Sequence, residues 1–442
     1  MDLNTVIYFV ISTITIVSQH LDVMIVFLPM LLVFELPLMI TVFSGILVWY
    51  RRRNLRGPLS FHPKVSCIVT CYGEGDAIKG TVLSLCEQIY SGRIQIIAVV
   101  DGAKQNIHTY QAAMESIKIA RNYHNRDVEV LPKWQRGGRV STLNAGLYSA
   151  KGDIVINVDG DTSFDNNMVY EILKEFEDPN VPAVGGALRV RNVKDSVVTR
   201  MQALEYMISL QAGKTGLAEW NLINNVSGAF GAFRREFLQQ IGGWDTHTAE
   251  DLDLTMRIKQ YMRRYPQMRI PFAARAIGHT DVPKTWKELF WQRMRWDGDL
   301  LFLYLRKHPY AFSPDLLGWK TFIFTVVYGV LQNVLIPILV VIFNIWVLVT
   351  FSYEFAIAMF IVQYLAYLII SYITFFIFIV AISERREQDL KIIGYITLMP
   401  FPIYTFIVRI FTAIAVLNEV LRRSHEESNM APWWVLKRGK KF

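Results

Sequence analysis

Two apolar regions enclose a polar one, and that arrangement limits this chain more than any other feature of its sequence. Residues 316–383 are almost continuously apolar, with one soft break at FSYEF, residues 351–355. Residues 23–50 are apolar apart from Glu35 and Pro37. About 20 consecutive apolar residues cross a bilayer as a helix. The later stretch therefore has room for two long spans or three short ones, and residues 23–50 for one. A shorter apolar run, residues 6–17, is set apart by Gln19, His20 and Asp22, so two helices are expected within residues 1–50. That start has no basic flank and no small-residue cleavage site, so it is expected to remain as membrane helix. Between the apolar regions, residues 51–313 have the composition of a soluble domain.

The end of the chain is harder to place. Residues 390–421 are apolar but contain Pro400, Pro402 and Arg409, and they are too few for two full crossings. A single crossing would carry Arg422, Arg423 and KRGKK (residues 437–441) outside, against the positive-inside rule. The formal charge is +8, and the basic residues gather beside apolar segments, as in RRRNLR at residues 51–56. The same rule then puts the soluble middle in the cytosol, below a multi-pass cell (inner) membrane anchor. No basic stripe with interleaved aromatics runs through that middle, so nucleic acid is not an expected partner. Three cysteines, Cys67, Cys71 and Cys86, make neither a disulfide framework nor a zinc site. They suit a reducing compartment. Glu35, Asn333, Asn344, Gln363 and Arg409 interrupt the apolar stretches. Such residues line a water-filled path or bond one helix to another.

Short β-type runs alternate with amphipathic stretches through the middle. VSCIVTC (65–71), IQIIAVV (94–100), VEVL (128–131), DIVINV (153–158) and AVGGALRV (183–190) are the runs. Strands alternating with helices imply βαβ units and a mostly parallel sheet. Ligands of such sheets bind beyond the carboxyl ends of the strands. There the sequence places Tyr72 and Glu74 after the first run, Asp101 after the second and Asp159-Gly160-Asp161 after the fourth. Each alone reads better as turn or capping chemistry, and the three together favour a site. Two carboxylates at i and i+2 on a strand end also suit Mg²⁺ or Mn²⁺ shared with a phosphate group. RGGR, ending at Arg139, leads into a helix pattern whose N-terminus suits an anion. Glu250 and Asp251, in TAEDLDL, complement a helix N-terminus or supply a general base.

VVDG, GGRVSTLNAG, VDGD, VSGAFGAFRR, AED and QRMRW follow one another in this order. Together they resemble the family 2 processive glycosyltransferases, the synthases of cellulose, chitin, hyaluronan and poly-N-acetylglucosamine. QxxRW, here Gln292 to Trp296, is the most discriminating motif. The resemblance covers residues 65–296. It implies an α/β GT-A fold, a Rossmann-like, mostly parallel cytosolic domain embedded between α-helical transmembrane segments. It also implies inverting transfer from a UDP-sugar. Tyr72, Glu74, Asp101, Arg139 and Asp159 would bind the nucleotide sugar, with Asp101 near base and ribose. Asp161, with Asp159, would hold Mg²⁺ or Mn²⁺. Asp251 would be the general base, with Glu250 beside it. Gln292 and Arg295 would clamp the diphosphate. Trp296, Ser227, Gly228 and Phe230 would meet the growing polysaccharide acceptor. The chain departs from the family pattern at Ala249, where threonine is frequent, and at Arg139, where lysine is.

The expected organisation is therefore membrane helices over 1–50, the transferase domain over 51–283 and interfacial helices carrying QxxRW over 284–315. Membrane or interfacial helices over 316–421 and a basic tail over 422–442 complete it. The VSGAFGAFRR segment resembles that of N-acetylglucosamine polymer synthases more than that of cellulose synthases, which implies UDP-N-acetylglucosamine as donor. A cellulose- or hyaluronan-type synthase, a single transfer to a lipid-linked acceptor and an inactive membrane scaffold are the alternatives. Besides donor, acceptor and lipid bilayer, an accessory export or regulatory subunit is an expected partner.

Overall fold

A computed structural model describes residues 3–53, 57–245 and 248–422. The expected tail lies outside these residues beyond Arg422. Among the described residues, eight strands form one sheet: β1 (Val65–Cys71), β2 (Ile94–Asp101), β3 (Arg126–Lys133), β4 (Ile154–Asp159), β5 (Ser163–Phe164), β6 (Ala183–Val190), β7 (Phe230–Arg234) and β8 (Phe272–Thr280). Their order is β3-β2-β1-β4-β7-β6-β8-β5. β7 runs antiparallel to β4 and β6, and β5 antiparallel to β8, while the other six strands share one direction. The chain leaves β1 toward β2 on one side and takes up β4 on the other, so a crevice opens at their carboxyl ends.

The central strands are apolar on both faces because both faces are covered. Along β1, Ile68 joins one core while Cys67 and Val69 join the other. The second core packs against Ile78, Val82 and Leu85 of the Ala77–Cys86 helix and Ile172 of the Met168–Phe176 helix. The first core takes Leu143 and Leu147 of the Arg139–Ser149 helix and then continues into the apolar helices through Ile46, Trp49, Phe378 and Tyr404. The three cysteines are free and buried, and burial pushes the Cys67 thiol up to about 12.

Among the described residues, four helices are long and apolar enough to cross a membrane: Leu21–Arg53, Trp319–Thr350, Tyr353–Ile382 and Phe401–Arg422. Leu3–Ser18, with 16 residues, is shorter. The stretch 316–383 thus makes two long helices rather than three short ones. One residue from each of the four meets at a polar node. Arg409 donates to Glu35 at 2.5 Å and to the Tyr367 hydroxyl at 2.7 Å, and Gln332 reaches Glu35 at 3.5 Å. Asn344 and Gln363 bond each other. Asn333 donates to its own helix at Tyr328. A cation among apolar helices is costly unless paired in this way.

The soluble domain is docked closely to the first of these helices. Gly45 crosses Gly216, in the Lys214–Glu219 helix, with no room for a side chain. A Cβ on Gly216 would lie 2.2 Å from the Val42 carbonyl oxygen. Small residues let two backbones approach this way. Phe401–Arg422 lies along the Trp286–Phe302 helix, which carries QRMRW. Tyr404 donates to Glu205, which also holds Arg293; Thr412 donates to Asp297; and Arg306 pairs with Glu419. The Trp286–Phe302 helix starts on a capping box in which the Thr285 hydroxyl accepts from the Glu288 amide.

Candidate active site

The exits of β1, β2 and β4 form a cleft of about 200 Å³, lined by Thr70, Cys71, Tyr72, Glu74, Asp101, Arg136, Arg139, Thr142, Asp159 and Asp161. Six residues marked from sequence as donor or metal ligands thus share one concavity. Gly73 and Gly75, at φ +95° and +56°, turn the chain back after β1, a backbone shape that glycine adopts at no steric cost. The turn leaves Tyr72 half-exposed with the Arg136 guanidinium 4.2 Å over its ring.

Asp101 builds the cleft. Its carboxylate is buried and accepts from Lys133 Nζ and from the amides of Gly137 and Gly138, each at 2.8 Å. These bonds hold the glycine loop against the sheet and set the start of the Arg139–Ser149 helix.

Arg139 is then aimed across the cleft as a three-way hub. Its Nε donates to Glu250 at 2.6 Å, one terminal nitrogen to Asp159 at 2.6 Å and the other to the Gly228 carbonyl at 2.6 Å. Both carboxylates raise its affinity for the proton against the cost of burial. Lysine, with one nitrogen, would not reach all three groups.

On the far side of the hub, Asp251 Oδ2 accepts from Asn225 at 2.7 Å and from the Gly228 amide at 3.1 Å, while its Oδ1 accepts from the Leu252 amide at 2.8 Å. A Cβ on Gly228 would lie 2.9 Å from Glu250 Oε1, so glycine is what lets this backbone pass between the two acids. Ala249 sits at φ +54°, a left-handed conformation that costs an L-residue energy and gathers at functional sites. It presents Glu250 and Asp251 together at the first turn of the Glu250–Arg264 helix. Burial, then Asp251, push the Glu250 carboxyl up, and Arg139 opposes them.

The acids on the donor side lack enough positive charge. Burial pushes Glu74 up to about 7, with Asp161 and Asp159 adding to it, and its Oε2 is buried with no hydrogen-bond partner. Asp161 is raised by burial and by Asp159. No three-ligand His/Cys/Asp/Glu cluster is preformed among the described residues. Two carboxylates with spare oxygens, beside a third, fit a divalent cation that takes its remaining ligands from a bound diphosphate.

QRMRW lies on the Trp286–Phe302 helix. Arg293, rather than Arg295, is its buried arginine; it pairs with Glu205 at 2.6 Å and stacks 5.1 Å from the Trp296 ring centre. Arg295 is exposed, and Gln292 Oε1 is buried with no partner. Asp299, three residues beyond Trp296, accepts from the Thr248 hydroxyl and so ties this helix to the strained loop. Burial pushes its carboxyl up to about 7, with Glu250 adding to the rise.

One expectation fails. Phe230 opens β7 and is wholly buried in the core against Phe164, so its side chain does not reach an acceptor. The rigid pairing of β7 with β4 and β6 is the reason. Gly228, just before β7, bonds both Arg139 and Asp251. His279 pairs with Asp165 at 3.0 Å, within β8. Asn225, Lys133 and Thr248 escaped the sequence reading, although Asn225 stands two residues before the marked Ser227.

An eight-stranded, mostly parallel sheet with paired acids at the exit of its fourth strand defines a GT-A domain. Residues 62–298 match the sequence model of Glycosyltransferase like family 2, and the chain belongs to that family. It is 28% identical over 261 residues to the poly-β-1,6-N-acetyl-D-glucosamine synthase of Staphylococcus aureus (strain MSSA476), an alignment that takes in 57% of this chain and 60% of that protein. It is 25% identical over 378 residues to the synthase of the same name from Staphylococcus epidermidis, over 84% of this chain and 86% of that one. In fold it is similar to a mannosyltransferase of Pyrobaculum calidifontis solved with GDP-mannose and Mn²⁺. The TM-score is 0.52 at 18% identity, over 87% of this chain and 97% of the other.

Proposed function

We propose that the protein is a membrane-embedded, processive, inverting glycosyltransferase. It polymerises a UDP-sugar, with UDP-N-acetylglucosamine the best-supported donor, into a β-linked polysaccharide and passes it across the membrane. The catalytic domain faces the cytosol of a multi-pass inner-membrane protein, on the side where Arg51, Arg52 and Arg53 end the first long helix. One observation carries this reading: the Arg139 hub joins Asp159 of the donor cleft to Glu250 and Gly228 beside Asp251. Donor acids and base are thereby fixed relative to one another.

The chain's residues divide the chemistry between them. Tyr72 and Arg136 offer a flat cationic face at the rim of the cleft to the nucleotide base. Asp161, with the second oxygen of Asp159 and with Glu74 nearby, would hold Mg²⁺ or Mn²⁺. Such an ion neutralises charge on a departing diphosphate. Asp251 takes the proton from the acceptor hydroxyl; a positioned base contributes roughly 10²–10⁴-fold. Asn225 and the Gly228 amide keep its Oδ2 in place. Trp296 gives a sugar ring an apolar face. Gln292 and Arg295 lie on the same helix to meet the diphosphate. The relatives named as poly-β-1,6-N-acetyl-D-glucosamine synthases support the choice of sugar.

The test is turnover by the purified full chain in nanodiscs, offered each UDP-sugar with Mn²⁺ or Mg²⁺. UDP release with UDP-N-acetylglucosamine, and linkage analysis showing a β-linked polymer, support the reading. Release with no UDP-sugar from folded protein defeats it.

A further inference from the structure

A second cavity is far larger than the donor cleft, about 1820 Å³. Its walls come from both parts of the protein. Arg189 and Arg191 stand at the carboxyl end of β6, and Arg200 on the Val197–Glu205 helix. Arg53 ends the first long helix, and Arg386 and Lys391 belong to the Arg386–Leu398 helix that follows the third. In all, nine Arg and Lys side chains line it against four Asp and Glu.

Four of the nine are neutralised. Arg189 pairs with Asp389, Arg275 with Glu384, Arg191 with Asp281 and Arg385 with Asp165, all between 2.8 and 3.1 Å. Among the described residues, Arg53, Lys194, Arg200, Arg386 and Lys391 have no carboxylate partner. Arg53 and Arg386 donate instead to the Ala381 and Val380 carbonyls, at 2.7 and 2.8 Å. Those carbonyls belong to the last turn of the Tyr353–Ile382 helix. The ends of two membrane-length helices are thus pinned side by side, and the cavity sits at their common level. If these helices cross a bilayer, their ends lie at the headgroup layer of one face.

We infer that this cavity binds a phosphate-bearing ligand, either an anionic phospholipid headgroup entering from the bilayer or a free phosphate or diphosphate from solution. Guanidinium forks match phosphate oxygens in pairs. Basic pockets between membrane helices at the headgroup level are suited to anionic lipid heads. The volume exceeds what one phosphate needs and admits a glycerophosphate head. The wall also touches the donor side: Arg191 donates to the Asp161 carbonyl at 3.0 Å, and Arg385 and His279 both hold Asp165 just beyond β5. A ligand that draws Arg191 or Arg385 therefore pulls on the segment from Asp161 to Asp165. The inference rests on the cavity alone and not on the sugar-transfer reading.

The test uses the full chain in neutral detergent, titrated separately with phosphatidylglycerol, phosphatidylcholine and sodium pyrophosphate. Thermal unfolding is followed, and retained lipid is counted by native mass spectrometry. Phosphatidylglycerol is expected to raise the Tm and to be retained where phosphatidylcholine is not. Arg200→Gln with Lys391→Gln should weaken that effect about thirtyfold, given what each basic residue contributes beside an anionic lipid. Both side chains are exposed, so the variant's Tm in phosphatidylcholine should match the unaltered chain and show that it is folded. A pyrophosphate shift that the double variant loses would support the site and assign its ligand to solution. A shift of equal size in the double variant, or no shift with either phosphate-bearing probe, overturns the inference.

Discussion

Replacing Arg139 with methionine removes a cation that three groups share. Its nitrogens lie 2.6 Å from Glu250, Asp159 and the Gly228 carbonyl. The Glu250 side chain is 8% exposed and that of Asp159 30%, so Glu250 is the group left charged and dry. Breaking a buried pair by removing one partner costs about 3–5 kcal/mol. For a domain of this size that lowers the Tm by on the order of 10 °C. The loss has a pH signature. Burial and Asp251 already raise the Glu250 carboxyl, and Arg139 is the group opposing them. Without Arg139 the carboxyl rises further, so the variant should recover stability as the pH falls and Glu250 takes a proton. Glu250→Gln added to Arg139→Met should restore part of the Tm at pH 8, because the two sites are in contact. Arg139→Lys keeps the charge but not the fork, and should fall between. The assay is thermal unfolding of the detergent-solubilised chain at pH 6 and pH 8, followed by tryptophan fluorescence. An Arg139→Met variant that unfolds with the unaltered chain at pH 8 would refute the hub.

Asp251→Asn should lower turnover by roughly 10²–10⁴-fold while UDP binding, measured by calorimetry, stays intact; equal turnover would remove Asp251 as the base. Glu74 titrates near 7, so Mn²⁺ should stabilise the protein more at pH 8 than at pH 6, and Glu74→Gln should flatten that difference in a Tm titration. Asp299 has a folded-state pKa of about 7 against an ordinary 3.8. Its neutral form is favoured in the fold, so its contribution is fully present below about pH 4 and is lost as the pH rises toward 7. Asp299→Asn should accordingly give a flatter Tm profile over pH 5–8, and an unchanged slope would contradict its burial. Gly216→Ala forces a Cβ against the Val42 carbonyl, and overpacking of this kind costs about 1–3 kcal/mol; a Tm equal to that of the unaltered chain would show that the two helices separate freely.

What the sequence disclosed follows from what is local. β1, β2, β4 and β6 are short runs buried on both faces, so they are mainly apolar and can be read directly despite Ser66, Gln95, Asn157 and Arg189 within them. β8 carries Arg275 and His279 and hides its period, and β5 has two residues. The family resemblance alone assigns β7 to an acceptor-lining segment; pairing with β4 buries Phe230 instead. The acids at the strand exits were legible because a parallel sheet brings every exit to one rim. Their partners were not, because they come from distant positions. Arg139 meets Glu250 over 111 residues, and Asp299 meets Thr248 over 51. Asp297 had no visible role until Thr412, 115 residues away, was placed beside it. The last apolar stretch also resolves in three dimensions: it splits into the helices Arg386–Leu398 and Phe401–Arg422, and the second is fastened along the QRMRW helix.

The proposed activity is polymer synthesis coupled to passage through the membrane. It is tested most directly in sealed proteoliposomes whose catalytic domains face outward, fed labelled UDP-N-acetylglucosamine and Mn²⁺ from outside. A long labelled polymer that resists an added N-acetylglucosamine hydrolase until detergent opens the vesicles is the predicted result. A short product that the hydrolase digests at once, or no labelled product from folded protein, would contradict it.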